Sequence, residues 1–216
     1  MERFQHILFD LDGTLTDPAV GITNSIMYAL KKYNIKVNDR SELYKFIGPP
    51  LLESFMKYYG FTEEEGKKAI EYYREYFGVK GLFENIIYDG IKDLLKSLKD
   101  NGKILLVATS KPQVFAEQIL VHFKLDKYFS FIAGSNLDGT RIKKAEVIEY
   151  ALEGLNITEL TKTIMVGDRE HDIRGAKTIG IKSIGVLYGY GSKEELVNAD
   201  ADYIVQSVSE IKDIVL

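Results

Sequence analysis

Two acidic residues follow an apolar run near the start of the chain. The run Ile7-Leu8-Phe9 reads as a buried strand, and Asp10-Leu11-Asp12-Gly13 follows it. Residues two apart at a strand end can face one pocket, so Asp10 and Asp12 can bring two carboxylates together. Like charges that close need a shared proton or a cation, and Mg²⁺ takes oxygen ligands. The plain alternative is a turn at Asp12-Gly13 with a solvated Asp10.

A second group of polar residues follows the apolar segment Ile104 to Ala108. Thr109-Ser110-Lys111-Pro112 places two hydroxyls at the start of the next predicted helix. Hydroxyls together with the free amides of a helix start can hold phosphate oxygens. A simple N-cap serine is the other interpretation of this segment.

A third group, Gly167-Asp168-Arg169-Glu170-His171-Asp172, follows the predicted strand Thr163 to Val166. Asp168 comes directly after the strand and its glycine, where it can be a metal ligand. Asp172 lies one helical turn later, on the same face. The alternative is that Asp168 is an N-cap and Asp172 a surface charge.

Three cations, Arg141, Lys143 and Lys144, precede a helix that is predicted to begin near Ala145. Cations are unfavourable at a helix N-terminus, so a lysine there indicates a negatively charged partner. Solvation at the surface is the alternative for any one of them.

The elements that carry these residues predict an α/β fold, a doubly wound parallel sheet with an inserted all-helical domain. From Asp89 onward, strand-sized apolar runs alternate with amphipathic helices, which is typical of a parallel sheet covered on both faces. Residues 17–86 show only helical periodicity, so we predict a core of residues 1–16 and 87–216 with a helical insertion between them. The first strand must join the sheet. Ligands bind beyond the carboxyl ends of such strands, so the polar groups should converge there.

Composition restricts the class of partner. Formal net charge is −4, with 28 Lys and Arg against 32 Asp and Glu, which gives no basic excess for a nucleic-acid polymer. There are no cysteines, and no apolar run is long enough to span a bilayer. We therefore expect a cytoplasmic protein, monomeric or homodimeric, whose partner is a small molecule and not a membrane.

The order of these groups along the chain, with Asp-Leu-Asp-Gly-Thr first, resembles the haloacid dehalogenase superfamily over the whole length. Gly48-Pro49-Pro50-Leu51 is similar to the cap of its phosphoglycolate phosphatase-like group. The resemblance implies a Rossmann-like core, a helical cap over residues 17–86, and a cytoplasmic Mg²⁺-dependent phosphatase. Such an enzyme hydrolyses a small phosphorylated metabolite through an aspartyl-phosphate.

The resemblance also implies roles for the residues of the first two groups. Asp10 would be the nucleophile and a metal ligand. Asp12 would act as general acid and then as general base, and would bind the metal through its backbone carbonyl. Thr109 would hold a phosphate oxygen, helped by the substrate-binding backbone of Ser110. To protonate a leaving group, Asp12 should have a raised pKa relative to Asp10.

By the same resemblance, Asp168 would complete the metal site, and Asp172 would act from behind it by orienting metal-bound waters or the lysine. The active-site lysine would be Lys144, with Lys143 as the competitor. The chain departs from the common Lys-Pro pattern here, because Ala145 follows Lys144.

Several related and unrelated functions compete with this interpretation. The second carboxylate, Asp12, argues against the carbon–halogen hydrolases of the superfamily. A 5′-nucleotidase, a pyrophosphatase and a hexose-phosphate mutase remain as alternatives within it. Outside it stand a signalling receiver domain and a non-catalytic phospho-binding protein. The receiver is disfavoured because the predicted strand Phe129 to Ala133 ends without an Asp.

Overall fold

The computed structural model describes residues 4–216, so the first three residues of the predicted core lie outside the described part. The chain forms two compact units. One consists of the chain up to Asp17 together with Ile87–Leu216, and the other of Pro18–Ile86. Short strands at Thr16–Asp17 (β2) and Ile86–Ile87 (β3) lie where the chain passes from one unit to the other.

The first unit is built on a six-stranded sheet in which every neighbouring pair is parallel. Its strand order is β5-β4-β1-β6-β7-β8. The strands are β1 (His6–Phe9), β4 (Ile104–Pro112), β5 (Phe131–Ser135), β6 (Thr163–Gly167), β7 (Lys182–Val186) and β8 (Tyr203–Val205).

Strand β1 lies inside the sheet, which confirms the prediction that it joins the later strands. Phe9 is level with Val107 of β4 on one side and with Val166 of β6 on the other. All three side chains are fully buried, because helices cover the sheet. The chain adds strands first on one side of β1 and then on the other. In doubly wound sheets, ligands bind beyond the carboxyl ends of the strands at such a reversal.

Helices of the first unit alternate with its strands, as the sequence predicts. The doubly wound α/β class is therefore confirmed. Among residues 4–216, no helix combines the length and the apolar content needed to cross a membrane. The helices are α4 (Ile91–Asp100), α5 (Gln113–His122), α6 (Lys144–Gly154), α7 (Glu170–Ile179), α8 (Lys193–Asn198) and α9 (Val208–Val215), with 3₁₀ turns at Asp126–Tyr128 and Leu160–Lys162.

The second unit is helical, as predicted. Thr62 caps the helix Glu63–Tyr76 (α3) through a reciprocal pair of hydrogen bonds with Glu65, which satisfies two free amides at the start of the helix. Sequence periodicity did not resolve the 3₁₀ and π segments, because both depart from a 3.6-residue repeat. The elements are α1 (Ala19–Lys31), a 3₁₀ helix (Arg40–Phe46), α2 (Leu51–Tyr59), α3 (Glu63–Tyr76) and a π-helical turn (Phe77–Gly81).

Strand β4 continues four residues beyond the predicted end at Ala108. Its pairing with β5 is irregular between Ala108 and Pro112 and resumes where Pro112 lies level with Ser135. The prediction ended the strand too early because Thr-Ser-Lys-Pro is typical of a helix start. The extension matters because it keeps Thr109 and Lys111 on a strand backbone.

The core of the first unit predicts a clear stability difference between two leucines. Leu106 of β4 is fully buried against α6, whereas Leu137 is 46% exposed in a turn. Leu106→Ala should lower the free energy of unfolding by about 2–5 kcal/mol because it leaves a cavity. Leu137→Ala should change it by no more than about 0.5 kcal/mol. Urea denaturation followed by circular dichroism measures both, and equal losses would contradict this account of the core.

Candidate active site

The groups singled out in the sequence occupy one edge of the sheet. Asp10 follows β1, Asp168 follows β6, and Thr109 lies in the extended end of β4. Lys144 is the first residue of α6. All four side chains are buried, although each is polar. Buried polar and charged groups need partners, so their contacts indicate what the site can bind.

Three carboxylates form the centre of the site. Oxygen atoms of Asp10, Asp168 and Asp172 all lie within 4.8 Å of one another. The backbone N–H of Tyr190 donates to Asp168 Oδ2 at 2.7 Å. Within the described residues, buried Asp168 Oδ1 has no hydrogen-bond partner. Burial raises the pKa of Asp168 well above its ordinary value, and the charges of Asp172 and Asp10 raise it further.

Two glycines allow the chain to close tightly around Asp168. Gly13 has φ +84°, and a Cβ there would lie 2.2 Å from Asp168 Oδ2. A Cβ at Gly191 would lie 1.8 Å from the Asp168 carbonyl oxygen. Since real Cβ atoms do not approach so closely, a side chain at either position would displace the carboxylate or its backbone. The loop after β1 and the loop after β7 therefore fix Asp168 between them.

Lys144 connects two of the carboxylates. Its Nζ lies 2.9 Å from Asp10 Oδ1 and 2.8 Å from Asp172 Oδ1, and it donates to the Ala108 carbonyl at 3.1 Å. An ammonium has three N–H donors, so each has an acceptor. Burial alone would lower the pKa of Lys144, but Asp10 and Asp172 more than offset it, and the pKa lies above its ordinary value.

The structure distinguishes Lys144 from Lys143, the two candidates for the active-site lysine. Lys144 is buried beside Asp10, whereas Lys143 is exposed ahead of α6. Asp172 pairs with Lys144 and also accepts from the Arg169 N–H at 3.1 Å. Asp172 is thus placed both to orient the lysine and to contribute an oxygen to the carboxylate cluster.

Asp12 has a different partner from Asp10. Lys111 Nζ lies 2.7 Å from Asp12 Oδ2, and both side chains are nearly buried. Burial raises the pKa of Asp12, and Lys111 offsets part of this rise. The upward direction is the one that a general acid requires, since the group must begin the reaction protonated.

The hydroxyl group of Thr109 and the backbone of Ser110 lie on the extended end of β4. Thr109 is buried, and its Oγ1 accepts from the Lys111 N–H at 3.2 Å, so the hydroxyl hydrogen can be donated elsewhere. Ser110 is half-buried, and its carbonyl accepts from the Ser135 hydroxyl at 2.9 Å. This bond secures the backbone at the point predicted to meet phosphate.

The donor set fits a magnesium ion. Asp10, Asp12, Asp168 and Asp172 are buried, and in the described part of the chain the buried lysines that pair with them are Lys111 and Lys144, so these six groups carry a formal charge of −2. Carboxylate oxygens are the ligands that Mg²⁺ prefers, and Asp168 belongs to the carboxylate cluster while its Oδ1 has no hydrogen-bond partner among residues 4–216. A divalent cation would neutralise the excess charge and lower the raised pKa of Asp168.

Comparisons with known proteins agree with this geometry. The model of the haloacid dehalogenase-like hydrolase family matches residues 7–186. A 5′-nucleotidase of Pseudomonas aeruginosa is 50% identical over 90% of this chain and 87% of its own length. Tyrosine-protein kinase PtkA of Mycobacterium tuberculosis is 36% identical over 99% of this chain and 72% of its own. The crystal structure of a predicted phosphatase from Clostridium acetobutylicum has a TM-score of 0.95 and 58% identity, covering 98% and 97% of the two chains.

The chain therefore belongs to the haloacid dehalogenase-like hydrolases. Within that family it is a phosphoric monoester hydrolase, which confirms the class of enzyme expected from the sequence.

Sequence reasoning missed Lys111 and Tyr190 as residues of the site. Lys111 stands inside the Thr-Ser-Lys-Pro segment, in which the prediction rests on the two hydroxyl groups alone. Tyr190 lies in Gly189-Tyr190-Gly191, just past a strand at the same edge of the sheet. Both residues could have been found from the sequence, because a lysine and a glycine-rich loop that follow strands lie at the carboxyl ends where ligands bind.

The raised pKa of Asp168 predicts the behaviour of the metal-free protein. A carboxyl group whose pKa is raised on folding contributes stability that is fully present below its ordinary pKa and is lost as pH rises through the raised value. At neutral pH and without metal, Asp168→Asn should therefore raise the melting temperature, because the buried charge is removed. The rise should be about 2–4 °C for each kcal/mol that the buried carboxylate costs the fold.

Thermal unfolding with EDTA and then with excess Mg²⁺ checks this prediction. Mg²⁺ should raise the melting temperature of the unsubstituted protein and have little effect on Asp168→Asn. Exposed Asp213, replaced in Asp213→Asn, is the matched control and should respond to Mg²⁺ normally. An undiminished Mg²⁺ response in Asp168→Asn would remove Asp168 from the metal site.

Proposed function

We propose that this protein hydrolyses small phosphate monoesters in two steps through a phosphoryl group carried on Asp10, with Mg²⁺ bound. The observation that carries the proposal is the environment of Asp10. Its carboxylate lies against Lys144 and within 4.8 Å of Asp168 and Asp172, two residues before the separately paired Asp12. A nucleophile, a positive charge and an acid are thus available at one strand end.

In the first step, a carboxylate oxygen of Asp10 attacks phosphorus, and the bond from phosphorus to the ester oxygen breaks. Protonated Asp12 gives its proton to that oxygen, so the alcohol leaves neutral. Asp10 now carries the phosphoryl group, and Asp12 is ionised. An ionised carboxylate needs no activating base, which suits Asp10 to the nucleophilic role.

In the second step, water attacks the phosphorus of the aspartyl-phosphate and loses a proton to Asp12. The bond between phosphorus and Asp10 breaks, inorganic phosphate leaves, and both aspartates return to their starting states. Lys144 and the Thr109 hydroxyl orient the phosphoryl oxygens, where negative charge gathers in each transition state.

Asp10, Asp168 and the backbone carbonyl of Asp12 are the groups that would hold Mg²⁺. The sequence places Asp172 behind the metal, but we add it to these groups because one of its oxygens belongs to the carboxylate cluster. When bound, the ion supplies positive charge that offsets the repulsion between an anionic nucleophile and an anionic substrate. Asp172 serves a second purpose, since its carboxylate holds Lys144 in place.

We propose the helical unit, residues 18–86, as the cap that selects the group attached to phosphate. For that group we favour a nucleoside, because the Pseudomonas relative at 50% identity is a 5′-nucleotidase. The sequence pattern indicates phosphoglycolate first, with a nucleoside monophosphate, pyrophosphate and hexose phosphates as alternatives. All of these share the chemistry at Asp10 and differ only in the leaving group.

Replacement of Asp10 tests the proposed nucleophile. Asp10→Asn should abolish hydrolysis of p-nitrophenyl phosphate in Mg²⁺ buffer, because an amide cannot form the aspartyl-phosphate. Asp12→Asn should slow turnover by about 10²–10⁴-fold. Rapid acid quench with ³²P-labelled substrate should trap phosphoprotein in the unsubstituted enzyme and none in Asp10→Asn. Asp213→Asn serves as the control, and normal turnover by Asp10→Asn would refute the mechanism.

A substrate panel tests the proposed leaving group. Phosphate release from nucleoside 5′-monophosphates, 2-phosphoglycolate, glucose 6-phosphate and pyrophosphate is compared as kcat/KM. We expect the highest value for a nucleoside 5′-monophosphate, and a higher value for phosphoglycolate would restore the first expectation. Transfer from ATP to a tyrosine peptide is measured alongside because of the kinase relative, and we expect hydrolysis to exceed it.

A further inference from the structure

We infer that Lys111 is a positioning residue for Asp12, a role that rests on the two-step hydrolysis proposed above. The site contains two buried lysines with separate partners. Lys144 contacts Asp10 and Asp172, whereas Lys111 contacts Asp12. One lysine is thus assigned to the nucleophile and the other to the carboxyl group that handles the proton.

The contact between Lys111 and Asp12 leaves one carboxylate oxygen available. Lys111 Nζ lies 2.7 Å from Asp12 Oδ2, with side chains that are 5% and 11% exposed. Asp12 Oδ1 is buried, and within residues 4–216 it has no hydrogen-bond partner. By engaging one oxygen, the lysine fixes the rotation of the carboxyl group and therefore the direction in which the other oxygen faces. That oxygen is the one that can exchange a proton with the leaving group or with water.

The backbone around Lys111 is held firmly. Its N–H donates to Thr109 Oγ1, and the neighbouring Ser110 carbonyl accepts from Ser135. A Cβ at Gly134 would lie 2.7 Å from the Lys111 carbonyl oxygen, so β5 can approach this closely only because residue 134 is a glycine. Lys111 therefore extends toward Asp12 from a fixed backbone, on the same strand end that carries the phosphate-binding hydroxyl group.

This arrangement predicts that the effect of losing Lys111 depends on the leaving group. p-Nitrophenolate is a stable anion and leaves without a proton, whereas the alkoxide of glycerol 2-phosphate needs one. In Lys111→Met, kcat/KM for glycerol 2-phosphate should fall about 10- to 100-fold, because proton transfer is misaligned. For p-nitrophenyl phosphate, kcat/KM should fall less than about 3-fold, since this ratio reports only the steps up to the first transfer.

The second step gives an independent readout in the same variant. Water activation also uses Asp12, so Lys111→Met should hydrolyse its aspartyl-phosphate slowly. With p-nitrophenyl phosphate, kcat should fall while kcat/KM holds, and the quenched enzyme should carry more labelled phosphate at steady state. Lys111→Arg, which keeps the charge, should recover part of the loss with glycerol 2-phosphate. A lysine with a purely structural role would produce none of these differences.

Lys103 provides a matched control for the loss of a buried lysine. It is 6% exposed and donates to the Phe4 carbonyl at 2.6 Å, beside the opposite end of β4. Lys103→Met should lower the melting temperature without changing the ratio of kcat/KM values for the two substrates. If Lys111→Met does not fold, Lys111→Gln, which keeps a hydrogen-bond donor, is measured in the same way.

Two results would overturn the inference. Equal losses of kcat/KM for both substrates would mean that Lys111 binds the phosphoryl group and does not position Asp12. Unchanged kinetics with both substrates would mean that it has no part in the reaction. Neither result affects the proposed function, which fails separately if Asp10→Asn retains turnover.

Discussion

The structure depends on one electrostatic constraint, the burial of four carboxylates against two ammonium groups at the end of a sheet. Each ionised oxygen is costly away from water, and the lysines compensate only part of that cost. The uncompensated part of this cost is visible at Asp168, whose pKa is raised by burial and by the charges of two neighbouring acids. The fold holds these charges together at the expense of its own stability, which is typical of sites that are complete only with a cation and an anionic ligand.

The parallel sheet makes that concentration of charge possible. Strand β1 is buried between β4 and β6, so the residues that follow these three strands must emerge side by side. Buried apolar side chains on neighbouring strands, such as Phe9 beside Val107 and Val166, stabilise the sheet and offset the cost of the charged groups at its end. Helix α6 then brings Lys144 to the same edge from its first turn. Hydrophobic patterning thus decides where the charged groups meet.

Much of this arrangement could be predicted from the sequence, because it follows from local patterns. Strand-sized apolar runs that lead into Asp10 and Asp168 are visible without a structure, and so is the alternation of helices and strands from Asp89 onward. The pairing of Lys111 with Asp12 could not be predicted in the same way, since it joins residues far apart in the chain. It depends on how far β4 extends and on which rotamer the lysine adopts. Periodicity reports neither.

The glycines around Asp168 have a consequence for anyone who wishes to transplant this chemistry. Gly13 and Gly191 each leave a space that a single methyl group would fill, and Gly167 does the same beside Asp172. If the four aspartates and two lysines were grafted onto another parallel sheet without these glycines, Cβ atoms would occupy the space that the carboxylates need. A designer would have to import the bare backbone positions as well.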